Sequence, residues 1–204
     1  MHWYFVVPLN TYVMKKTTLV YLLAMSCLTF QACNSEKKTT SDSVENAENS
    51  NEVKEEQGAG AEDDDSEFAV KAASGGLLEV ELGKLAQEKG QNAEVKQFGA
   101  KMVEDHTKAN DELKALATLK NITIPSTPGE DKQKDIDDMR KLSGAEFDKK
   151  YISYMKDDHE EDVKEFKKAA QDAKDQSIKE FAAKTLPTLQ MHLDMVTAID
   201  KKLN

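Results

Sequence analysis

Cysteine is nearly missing from this 204-residue chain, which has Cys27 and Cys33 alone. Cys27 lies inside an apolar run that reads as a removable leader, so a single thiol remains afterwards and an intramolecular disulfide is excluded. Long apolar runs are also lacking. The longest candidate, Thr17 to Phe30, has fourteen residues, short of the roughly 20 that a spanning helix needs. Positive charge is in deficit: the formal net charge of −10 argues against a nucleic-acid binder. No stretch keeps the apolar–polar alternation of strands. HExxH and paired ExxH patterns are absent from the sequence, as is an evident nucleophile beside a base.

What is present divides into three unlike pieces. Residues 1–33 hold two lysines and no acid. Met14-Lys15-Lys16, the apolar run and Gln31-Ala32-Cys33 have the charged start, hydrophobic centre and small residue of an export signal. Met1 to Val13 put a second apolar piece ahead of the lysines, which points to Met14 as the true start. Ala32-Cys33 resembles the lipobox of bacterial lipoproteins, with Phe30 and Gln31 where a leucine and a small residue usually stand. That resemblance implies lipid on Cys33, and several acyl chains give stable anchoring. Residues 34–67 hold three lysines, twelve acids and no aromatic residue. Such a composition predicts a disordered, self-repelling tether.

Residues 68–204 read as helical throughout. Phe68, Ala72, Gly75, Glu79, Leu82 and Ala86 recur at spacings of three and four, the stripe of a packed helix. Gly90 ends it, and Val95, Phe98, Met102, His106, Ala109, Leu113 and Leu116 form a second stripe. Asn121 to Gly129 break the pattern, and Ile136, Met139 and Leu142 mark a short helix in the longer connection. Ser143 and Glu146 have capping-box spacing ahead of a third long helix carrying Phe147, Tyr151, Met155, His159, Val163, Phe166 and Ala170. A fourth carries Ile178, Ala182, Thr185, Leu189, His192, Val196, Ile199 and Leu203, with Pro187 predicting a kink near Ala183. The expected fold is an all-α antiparallel four-helix bundle, two short-linked hairpins joined by a longer connection that contains a short helix.

One polar constellation stands out. His106, His159 and His192 each lie on the apolar stripe of a different helix, near its middle, as does Glu79 on the first. Their hairpin positions place each pair within roughly 6 to 9 Å along the bundle. Three neutral imidazoles and a carboxylate suit zinc, copper or iron; equally, they suit a buried hydrogen-bonded layer that fixes helix register. Rings more than about 8 Å apart would exclude one shared ion, given ligand bonds near 2 Å. Asp105 and Asp158 immediately precede two of the histidines, and Tyr151 and Tyr154 lie one or two turns before His159.

Glu79 to Gly83, Phe98 to His106, Phe147 to Tyr151, and Leu186-Pro187 with His192 together resemble domain-of-unknown-function family 4142, a group of bacterial envelope proteins. The resemblance covers residues 68–204. It implies a ferritin-like bundle and little about chemistry, because the family is itself uncharacterised. Val103, Lys156 and Leu189 stand three residues before the histidines, so the carboxylates of a ferritin-type di-iron site are missing at those positions. The leading expectation is a lipid-anchored envelope protein, outer-membrane-tethered, with a non-enzymatic interaction, stress-protection or structural role and an unidentified envelope protein as partner. The competitor is a metal-binding bundle, or an atypical metal-dependent oxidoreductase, on Glu79, His106, His159 and His192. A third reading is a small-molecule pocket beside Pro187 and the Gly75-Gly76 pair.

Overall fold

Four long helices carry the architecture, and their apolar stripes are the reason. In the computed structural model, which describes Met1 and residues 42–203, these are α2 (Asp63–Lys89), α3 (Ala93–Leu119), α5 (Gly144–Asp172) and α6 (Gln176–Leu203). Two shorter helices complete the set, α1 (Ser43–Glu56) and α4 (Glu130–Arg140). No strand occurs among the described residues. The helices α2 and α3 pair along their lengths, as do α5 and α6, giving the two expected hairpins. Among the described residues no helix is long and apolar enough to cross a membrane.

Each hairpin turn is held by a buried aspartate reaching over from the other hairpin. Asp148 on α5 accepts from the backbone N–H groups of Gln91, at 3.0 and 3.2 Å, and of Asn92, at 2.8 Å. Asp65 on α2 likewise accepts from Lys174 at 3.0 Å and Asp175 at 2.6 Å. These bonds satisfy donors that helix starts and turns leave without intrahelical partners. The two hairpins are therefore locked to one another at both ends.

The core lies in two apolar blocks. Leu78, Leu82, Phe98, Met102, Phe147, Tyr151, Met155 and Val196 fill one. Ala69, Ala73, Leu113, Phe166, Ile178, Phe181 and Leu189 fill the other. Along α3, α5 and α6 the boundary between blocks falls at His106, His159 and His192, and on α2 Glu79 lies just inside the first block, next to Leu78. Pro187 lies within α6, which continues through it as one helix; the bend expected near Ala183 does not interrupt it. Ser143 stands at the N-cap of α5, but its side chain makes no capping bond, so the predicted capping box does not form.

Residues 42–67 depart from the tether expected over 34–67. Residues 43–56 form α1, and α2 starts at Asp63, earlier than the Ser66-Glu67 start read from hydropathy. The cause is polar pairing. Asn51, 5% exposed, donates to Thr123 O at 2.9 Å and accepts from Thr123 N at 2.7 Å. Lys54 Nζ donates to Asn121 O at 2.9 Å, and Ser43 Oγ donates to Thr127 O at 2.8 Å. Asp42 accepts from Val44 N at 3.1 Å and from Glu130 N at 3.2 Å, serving the starts of both α1 and α4. The expected signal at 1–33, the residues 34–41 and Cys33 lie outside the described residues.

Candidate metal centre

The stripes of α2, α3, α5 and α6 turn Glu79, His106, His159 and His192 into one layer at the seam between the two core blocks. All four side chains are buried: Glu79 is 1% exposed, His106 5%, and His159 and His192 0%. The ring centroids lie 5.7 Å apart for His106 and His159, 5.2 Å for His106 and His192, and 5.4 Å for His159 and His192. The separation that would have excluded a shared ion is not reached. One ring nitrogen from each of the three lies within 4.8 Å of the others.

Each imidazole has its other nitrogen engaged by an acceptor. His106 Nδ1 is 2.6 Å from Glu79 Oε2. His159 Nδ1 is 2.9 Å from the carbonyl of Met155, one turn earlier on the same helix. His192 Nε2 is 2.7 Å from Asp105 Oδ2. A carbonyl can only accept, so His159 carries its proton on Nδ1 and presents a lone pair on Nε2. The Asp105 carboxylate fixes His192 in the opposite tautomer, with its lone pair on Nδ1. These two lone pairs face one another at 3.4 Å. His106 Nε2 completes the set as a buried nitrogen with no hydrogen-bond partner.

The electrostatics keep the rings neutral. Burial, opposed by Asp158 and Asp105, lowers His106 to about 4. Burial and then the charges of His106 and His192 take His159 down to about 3. Burial and His106 bring His192 to about 4 against the pull of Asp105. For Asp105, burial pushes upward, but hydrogen bonds from Lys101 and His192 outweigh it and hold the carboxyl below its ordinary range. Neutral imidazole is the metal-ligating form.

Beside the rings lies a carboxylate group that spacing on the stripes did not reveal. Asp158 and Asp162, one turn apart on α5, approach Glu79 from the solvent side. Burial, then repulsion from Asp158, pushes Glu79 well up. Burial followed by Glu79 and Asp158 does the same to Asp162, and burial raises Asp158 to about 6. Glu79 Oε1, Asp158 Oδ2 and the Tyr151 hydroxyl are buried polar atoms with no hydrogen-bond partner. In the sequence Asp158 stands out as the neighbour of His159, whereas Asp162 lies off the apolar stripe. The Asp158-x-x-x-Asp162 spacing around a stripe histidine was the available signal, since residues four apart share a helix face.

Space on the two sides of the layer differs. A cavity of about 20 Å³ adjoins Glu79, His106, Asn110, Asp162, Thr185 and Leu189, room for about one water-sized atom. A surface cleft of about 290 Å³ has Asp158 and Asp162 in its wall together with Lys132, Lys71, Gly75 and Gly129. Asp162 borders both. A Cβ on Gly76 would run into the side-chain amide of Asn110, which would have to move, whereas a Cβ on Gly75 would meet nothing within 4 Å. The glycine pair thus serves helix contact on one side and the cleft on the other. Gly76 also lines the 20 Å³ cavity with Thr185 and Leu189, which flank Pro187.

No curated protein matches the sequence. A crystal structure of a Streptomyces coelicolor protein assigned as a secreted protein, DUF305, superposes with a TM-score of 0.58 at 12% identity, covering 68% of this chain and 93% of that one. That likeness is one of fold. Residues 50–199 match the family described as Domain of unknown function (DUF4142), a span that begins inside α1 and contains Glu79, all three histidines, Asp105, Asp158 and Asp162, and the chain belongs to that family.

Proposed function

We propose that the bundle is a metal-holding module of an exported, lipid-anchored envelope protein, binding one zinc or copper ion through His106, His159 and His192. The observation that carries this reading is the orientation of the rings. Each gives one nitrogen to an acceptor and turns the other toward a common point. Two lone pairs at 3.4 Å cannot hydrogen-bond to one another, yet that separation is the edge of a tetrahedron around an ion with bonds of about 2.0–2.1 Å. Acceptors behind the rings, Asp105 above all, are the outer-shell partners that fix ligand tautomers in metal sites. Nitrogen donors select zinc and copper over magnesium or calcium.

Holding rather than turnover is favoured by the enclosure, since the adjoining cavity of about 20 Å³ admits an ion or a water but no organic substrate. Glu79 Oε2, 2.6 Å from His106 Nδ1, orients that ring from behind as an outer-shell partner. Export and lipid attachment rest on the Ala32-Cys33 sequence. The test is elemental analysis of the full chain, purified without a polyhistidine tag and incubated with zinc or copper. One equivalent is expected in the wild type and less than a tenth of that in a His106→Ala, His159→Ala double variant. A wild type that stays metal-free after incubation overturns the reading.

A further inference from the structure

We propose a second cation site beside the histidines, formed by Glu79 Oε1, Asp158 and Asp162, which takes a hard divalent ion of the manganese(II) class. It goes beyond the histidine site, with a different donor set and a different entrance. Oxygens suit manganese, magnesium and calcium, whereas imidazole nitrogens suit zinc and copper. One carboxylate oxygen each from Glu79 and Asp158 lies within 4.8 Å of the other and of a His159 nitrogen. Contraction of about 1.5 Å brings such a group to the spacing of ligands on one ion.

An acidic cluster alone would be a solvated face, but Glu79 is not on a face. At 1% exposure its Oε1 receives no hydrogen bond from an N–H or hydroxyl donor, and neither does Asp158 Oδ2, while the Asp162 carboxyl pairs with that of Glu79. Leaving such groups unpaired in a dry interior costs several kcal/mol unless a donor or a cation arrives. The facing charges point the same way. Lys132 on α4 is the positive side chain that acts on Glu79, Asp158 and Asp162 together, while Glu161, Glu165 and Asp135 add further negative charge around them. Once a cation displaces their protons, three carboxylates against one ammonium leave two negative charges, which a divalent ion neutralises. Asp158 and Asp162 also lie in the wall of the 290 Å³ cleft, so an ion reaches this site from solvent without opening the bundle.

The experiment titrates manganese(II) into the zinc-loaded full chain and reads free manganese by electron paramagnetic resonance. Manganese does not displace zinc from nitrogen donors, given the order of affinities. One further equivalent of bound manganese is expected. An Asp158→Asn, Asp162→Asn double variant should bind it at least tenfold more weakly while keeping its zinc. A Lys132→Met variant, outside the donor set, should bind it several-fold more tightly, because a competing positive charge is gone. Helical circular dichroism checks that each variant is folded. Zinc bound without manganese overturns this second site and leaves the histidine reading standing. Manganese bound by a chain that takes no zinc overturns the histidine reading and keeps this one. Manganese affinity unchanged in the folded aspartate variant overturns the assignment of Asp158 and Asp162.

Discussion

At the residue scale, the histidines are legible in sequence because a polar side chain on an apolar stripe is conspicuous. Spacings of three and four alone place His106, His159, His192 and Glu79 in one layer. Asp162 was not legible for the converse reason: a carboxylate at the edge of a charged helix reads as solvated, and only the approach of α2 reveals that it faces Glu79. The neutral state of the rings makes a stability prediction for the metal-free protein. His159 is held at about 3 in the native state, against about 6.5 in an unfolded chain. Protons therefore bind the unfolded state first, and the native state loses stability as pH falls below 6.5 toward 3. Raised carboxylates work in the opposite direction, as Asp158 near 6 takes up its proton in the folded state. Comparison with His159→Leu separates the two. From pH 7 to 4.5, urea unfolding in chelator should show the wild type losing on the order of 2 kcal/mol more than the variant. Parallel pH dependences would show that His159 is not buried as a neutral ring.

At the level of elements, the long helices followed from periodicity and α1 did not. Stripes report apolar burial, and α1 buries little beyond Ala47. Its attachment is made of side-chain to backbone bonds between residues more than sixty positions apart, on a loop that sequence reading marked as a break. Asn51 is the centre of that attachment, pairing with both the N–H and the carbonyl of Thr123. Asn51→Ala removes both bonds and strands the Thr123 groups. A cost of about 1–3 kcal/mol is expected, felt by α1 locally because Ala47 is its one fully buried apolar side chain. Hydrogen exchange should quicken by about tenfold or more across Ser43–Glu56 and stay unchanged in the middle of α5. Equal acceleration in both helices would mean that α1 is cooperative with the bundle instead of resting on it.

For the whole molecule, α1 relocates the acidity that composition assigned to a tether. Between Cys33 and Asp42 the sequence has one acid and two lysines, whereas residues 42–67 have eleven acids and one lysine, and residues 68–204 have three more acids than bases. The negative charge is therefore carried by folded helices. With lipid on Cys33, the eight residues 34–41 reach at most about 28 Å, so an acidic bundle stands close to the membrane surface. Anionic headgroups repel such a body, and residues 34–41, with a net charge of +1, offer about 1 kcal/mol per basic group at best. On the proposed lipid-anchored reading, attachment therefore comes from the acyl chains and not from charge. Cys33→Ser should consequently move the protein from the membrane pellet to the soluble fraction at low and high salt alike. Retention in the pellet at low salt alone would reveal a charge-based contact, and retention at both would show that attachment does not run through Cys33.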